Sequence, residues 1–127
     1  MESRGIIMFN RGDRMLVRIL VSLYSIRKYY SGNINFYVEN PCPCPEELDK
    51  ALRYFGCEIT HLNERHDYKT LIRKTSLFGS LGTDNYDRTL WLDSDVVVVN
   101  PIDEMFNYLD DSDFVIPHFA HWLSDGR

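Results

Sequence analysis

Apolar positions along this chain change their period repeatedly and in a regular order. Gly5 to Asn10 reads as a short apolar strand, and from Leu16 the spacing lengthens, with Leu16, Ile19, Leu20, Leu23 and Ile26 recurring at helical intervals. Asp13 is placed to cap that helix, which is expected to run to Tyr30 and stop before Ser31-Gly32-Asn33. Ile34 to Glu39 follows as a second strand, closed by Asn40-Pro41-Cys42-Pro43-Cys44-Pro45. Pro45 suits the first turn of a helix through Tyr54, and Gly56 stops it. Cys57 to Leu62 is a third strand, followed by the polar loop Asn63-Glu64-Arg65-His66-Asp67 and a helix from about Lys69 to Leu81. Gly79, Gly82 and Thr83-Asp84-Asn85 end that helix. Thr89 to Leu92 is then a fourth strand, Asp103 to Leu109 a short helix and Asp113 to Pro117 a fifth strand.

Strands alternating with helical stretches predict βαβ units and right-handed crossovers, hence an α/β, Rossmann-like fold with a mainly parallel sheet flanked by helices. The 127 residues suit one compact domain, 1–127, with no internal repeat, low-complexity tract or linker. In open sheets of this kind a ligand lies beyond the carboxyl ends of the strands. Phe9, Asn10 and Asn40 fall at such ends, as do the two acids that follow the fourth strand.

Those acids belong to Leu90-Trp91-Leu92-Asp93-Ser94-Asp95, which runs on into Val96-Val97-Val98-Val99. In an extended backbone Leu90 and Leu92 would enter the core while Asp93 and Asp95 shared the opposite face. Neighbouring carboxylates raise one another's pKa unless a counter-charge is present, and a divalent cation supplies one. Carboxylate ligands favour Mg²⁺ or Mn²⁺ and leave coordination positions for water or substrate phosphate. The alternative is a pair of acids on a surface loop that merely caps a strand.

Composition is that of an ordinary soluble globular protein, 44% hydrophobic and 26% charged. A net charge of −5 offers no field to draw in nucleic acid or an anionic membrane, so an anionic substrate would need a metal or local cations. No apolar run has the length of a transmembrane segment or the form of a signal peptide, from which a soluble, cytoplasmic protein is expected. Cys42, Cys44 and Cys57 are an odd count in a chain read this way, which favours reduced thiols. With His61 they could form a structural zinc site, against which stand the flanking prolines and the one-residue gap between Cys42 and Cys44.

With these residues in place, the chain resembles the nucleotide-binding half of GT-A fold glycosyltransferases, the nucleotide-diphospho-sugar transferases. The resemblance is carried by Lys74 to Phe106, above all Tyr86-Asp87-Arg88-Thr89-Leu90-Trp91-Leu92-Asp93-Ser94-Asp95, the valine run and Pro101-Ile102-Asp103-Glu104-Met105-Phe106. Leu20 to Asn40 also looks like that family's first helix and second strand. What the resemblance implies is metal-dependent sugar transfer from a nucleotide-diphosphate donor to an unidentified acceptor. Asp95 would be the principal metal ligand, and Asp93 a second ligand or a partner to the ribose. Lys74, more than its neighbour Arg73, would meet the diphosphate or donor sugar; a solvated basic helix end is the alternative. Phe9 and Asn10 would contact the base, with core packing the competing role for Phe9 and turn chemistry for Asn10. Trp91 shares the acidic face by alternation, or packs beneath a helix.

GT-A enzymes generally continue into a half that binds the acceptor, whereas this sequence stops at Arg127, so the acceptor-binding half is expected to be absent. A second copy in a homo-oligomer could complete it. His118 and His121 follow the fifth strand, and surface or packing roles are expected for both. Two other readings compete with the enzyme: a non-catalytic or degenerate nucleotide-sugar-binding module, and a haloacid-dehalogenase-like phosphohydrolase. In the latter family Asp-x-Asp normally opens the domain, yet here three strand-helix units precede it.

Overall fold

The computed structural model describes residues 2–10, 16–39, 45–62 and 86–112. Strand β1 (Arg4–Asn10) leads into helix α1 (Leu16–Tyr29), then β2 (Asn33–Glu39), α2 (Pro45–Tyr54) and β3 (Glu58–Leu62). After residues outside the description come β4 (Arg88–Trp91), a short helix α3 (Asp103–Asn107) and one 3-10 turn over Tyr108–Asp110. All pairings in the sheet are parallel and its order is β3-β2-β1-β4. The expected capping by Asp13, the helix over 69–81 and the strand over 113–117 lie outside the described residues.

Burial follows from position in this order. Central β1 is hydrogen-bonded on both sides, and Ile6, Ile7, Met8 and Phe9 are all buried, which is why its sequence is continuously apolar instead of alternating. Ile6 and Met8 join Ile34, Phe36 and Val38 of β2 against Ile19, Leu23 and Ile26 of α1 and Leu48 and Leu52 of α2. On the other face Ile7, Phe9 and Tyr37 form a smaller cluster with Trp91, Leu62 and Tyr86 around it. Outlying β3 does alternate in part, with Glu58 and His61 exposed.

Beyond β4 the chain doubles back along α1. The Val98 backbone N–H donates to Ser25 Oγ at 2.9 Å, and the Tyr30 and Phe106 rings lie 6.2 Å apart between centroids. Later residues of the returning segment therefore meet later residues of α1, so the two run in the same direction. Val98 and Ile102 are buried in the main core, whereas Val97 and Val99 point outward. The valine run, despite its composition, forms no ladder with the sheet.

Two glycines are required by local geometry. Gly56, at φ +70°, ends α2, its N–H bonded to Arg53 O and the next N–H, of Cys57, to Leu52 O. At Gly5 the Tyr86 ring lies where a Cβ would stand. Arg27 links the ends of both helices, donating through Nε to Phe55 O at 2.6 Å, through Nη1 to Tyr30 O and Gly32 O, and through Nη2 to Gly56 O.

Candidate functional site at the carboxyl edge of the sheet

Chain order in the sheet fixes where a crevice forms. From β1 the chain steps outward to β2 and β3, then returns to place β4 on the opposite side of β1, so the direction of winding reverses between β1 and β4. At such a switch point the connections leave the carboxyl ends in opposite directions and open a cleft for ligand. Asn10 ends one of these strands, and the Asp-Ser-Asp segment follows the other.

The acidic segment is a turn. The β4 ladder continues one residue past the strand, with Leu92 N–H donating to Ile7 O, and Val96 N–H then donates to Asp93 O at 3.3 Å across Ser94 and Asp95. Strand alternation explains Leu90 and Leu92, which pack on the main core, and Trp91, which packs on the other face. It does not extend to Asp95, because the backbone bends before that residue. What joins Asp93 and Asp95 is one tight turn with both acids exposed.

A neutral contact anchors that turn. Ser94 Oγ donates to Oδ1 of Asn10 at 3.1 Å, and Asn10 is only 9% exposed. The structure thus brings together Asn10, Asp93 and Asp95 through a serine that the sequence reading passed over; its position between two acids was the available signal. Phe9 points to the opposite face, where it is 2% exposed beside Ile7 and Tyr37. Glu39 was read only as the end of a strand, yet it is a 2% exposed carboxylate at the carboxyl end of β2. An acidic residue closing a largely apolar strand at its carboxyl end is the signal for it.

Lys74 and its neighbour Arg73, along with Asn40, His118 and His121, lie outside the described residues. So do Cys42 and Cys44. Cys57 packs against the main core, and burial pushes its thiol up to about 11, which disfavours the thiolate that zinc requires. His61 Nε2 lies 3.4 Å from Asp49 Oδ1. Among the described residues no group of three or more His, Cys, Asp or Glu side chains is placed to hold a metal. Asp93 and Asp95 would therefore be two ligands of an incomplete shell. An all-oxygen pair on an exposed turn fits Mg²⁺ or Mn²⁺, which retain water and take further ligands from phosphate.

No helix among the described residues is long and apolar enough to cross a membrane. No family model and no curated protein matches the sequence. Among solved structures the chain is similar to S. aureus TarS, a glycosyltransferase, in two crystal structures. One aligns with TM-score 0.54 and 15% identity over 86% of this chain and 20% of that one. The other, of TarS 1-349, aligns with TM-score 0.58 and 12% identity over 91% of this chain and 38% of that one. This chain therefore spans well under half the length of either structure, and the likeness is one of fold. The described residues form an α/β fold on a four-stranded parallel sheet flanked by helices, a fold like that of these glycosyltransferase structures.

Proposed function

We propose that this chain forms the donor-binding part of a metal-dependent glycosyltransferase, with a nucleotide-diphosphate sugar held at the carboxyl edge between β1 and β4. The observation that carries this reading is the Asp93–Asp95 turn, displayed at the switch point of the sheet and tied to Asn10 through Ser94. Asp95, with Asp93, would hold Mn²⁺ or Mg²⁺ against the diphosphate. Such a cation acts as a Lewis acid on the leaving diphosphate, where negative charge accumulates as the glycosidic bond breaks.

The chain's own residues orient the donor. Asn10 and Ser94 fix the turn, which holds the two carboxylates in a preset position and lowers the ordering cost of binding. Phe9 underlies the site from the far face of β1, and Lys74 is the proposed cationic contact for the phosphates. Sugar transfer also requires an acceptor hydroxyl held in line with the anomeric carbon, and orientation of that kind contributes roughly 7–11 kcal/mol to lowering a barrier.

Isothermal titration with UDP, GDP, ADP and CDP, each with and without Mn²⁺, tests the reading. A saturable signal for at least one diphosphate that requires the metal is expected. Absence of binding across the panel, or binding indifferent to Mn²⁺ and Mg²⁺, would refute it and leave the fold as a scaffold.

A further inference from the structure

Ser25 is a polar residue on an apolar side of α1. It is 8% exposed, and Leu23 and Ile26 beside it are fully buried. Its hydroxyl makes two hydrogen bonds of opposite sense. Oγ donates to Ser22 O at 2.7 Å, back along the helix, and accepts from Val98 N–H at 2.9 Å. With the proton committed to the helix carbonyl, the lone pairs are left for the returning segment. Carbonyls inside a helix are engaged by the helix itself, so a side chain is what gives this buried face an acceptor to offer.

Val98 stands three residues beyond Asp95, on the stretch by which the acidic turn leaves the sheet. That turn is held at three places. Leu92 N–H on Ile7 O at 3.1 Å fixes its entry, Ser94 Oγ on Asn10 Oδ1 at 3.1 Å its middle, and Val98 N–H on Ser25 Oγ its exit. The first two anchors belong to β1 and the third to α1. Packing is a poor substitute for the third. Val96 to Val99 are four identical side chains, and burial, which has no preferred direction, is nearly indifferent to a small displacement along such a run. A directional bond to a buried hydroxyl is not. Any shift it permits at Val98 passes through two residues to Asp95.

We propose that Ser25 is a positioning residue of the metal site: its hydroxyl fixes the exit of the Asp93–Asp95 turn and so the placement of Asp95 toward a divalent cation. This rests on the donor-site reading above and extends it from the carboxylates to the helix that steadies them. Groups that orient metal ligands without touching the metal change its affinity about tenfold to a hundredfold when they are removed. The turn remains in place without the hydroxyl, but its carboxylates sample a wider range of geometries.

The test compares the parent with Ser25→Ala, Ser25→Cys and, as a control, Ser22→Ala. Ser22 is also buried on α1, and among the described residues its hydroxyl has no hydrogen-bond partner. Isothermal titration is run with the best-binding nucleoside diphosphate of the panel in Mn²⁺. The bound Mn²⁺ is then examined by electron paramagnetic resonance, whose line shape reports ligand geometry and not the amount of folded protein. For Ser25→Ala, affinity is expected to fall about tenfold and the lines to broaden. Ser25→Cys keeps the volume, replaces the oxygen with a weak acceptor and shifts both readouts in the same direction, so it carries the test if the alanine variant fails to fold. Ser22→Ala matches the parent in both. A merely structural role would lower affinity through loss of folded protein and leave the line shape as it is in the parent. If the parent binds the diphosphate with Mn²⁺, and the Ser25 variants keep its affinity or lose it with an unchanged line shape, Ser25 serves the fold alone and the donor-site reading stands. A parent that binds no diphosphate with Mn²⁺ overturns both.

Discussion

The two ends of the sheet use charge in opposite ways. At the amino edge Arg88, Arg4 and Arg27 are met by groups of the chain itself. Arg88 bonds Asp110 at 2.6 Å, Phe106 O at 2.7 Å and Glu2 at 2.9 Å, Arg4 bonds Asn107, and Arg27 donates to four carbonyls at the helix ends. Ser3 and Asp87 exchange backbone-to-side-chain bonds across the same end. At the carboxyl edge the acids Asp93 and Asp95 are exposed on a turn whose anchor, Asn10 to Ser94, is uncharged. One end spends its polar groups on closing the fold. At the other end the two acids stand exposed on a turn beside the switch point, where ligands of such sheets bind.

If that division is real, substitutions at the amino edge cost stability and those at the carboxyl edge cost binding. The largest loss is expected for Arg27→Ala, which leaves the carbonyls of Tyr30, Gly32, Phe55 and Gly56 without their donor. Urea unfolding should show about 2–4 kcal/mol of destabilisation, since several charge-assisted bonds go together. Gly5→Ala comes next, at about 1–3 kcal/mol, because the added methyl must displace the Tyr86 ring. An unchanged melting midpoint for either would show that the amino edge is not the clamp described here.

A smaller pair of effects separates two serines on the same row of α1. Ser25 Oγ accepts from Val98 N–H and donates to Ser22 O at 2.7 Å, so Ser25→Ala should cost about 1–2 kcal/mol by stranding a buried N–H. Ser22 Oγ is buried with no hydrogen-bond partner among the described residues, so Ser22→Ala should be neutral or slightly stabilising. Equal losses at both positions would mean that the returning segment is not held through Ser25.

Local patterning foretold the elements because burial imposes it residue by residue. The apolar run of β1 and the Ile19, Leu23 and Ile26 spacing of α1 carry their own evidence, and both appear as expected. Boundaries shift slightly: the fourth strand is Arg88–Trp91 instead of Thr89 to Leu92, and the short helix at Asp103 changes to a 3-10 turn at Tyr108. Relations between distant residues were not legible. That β4 lies beside β1 depends on which edge the chain returns to, and no local period encodes it. The valine run has the composition of a strand, yet only Val98 is buried, because its backbone donor goes to Ser25 and not to a neighbouring strand. The bend at Ser94 and Asp95 likewise follows from anchorage to Asn10, 84 residues away in sequence.

The central claim is that the acidic turn serves a ligand and not the fold, and Asp95→Ala addresses it in one comparison. Parent and variant are titrated with Mn²⁺ and the best-binding nucleoside diphosphate, and their urea midpoints are recorded in the same buffer. The account predicts loss of metal-dependent binding with stability changed by no more than ~0.5 kcal/mol, as for an exposed surface side chain. A rise in stability would agree with relief of repulsion between Asp93 and Asp95. A variant that binds the metal and diphosphate as the parent does, or one that loses binding only because it unfolds, would contradict it.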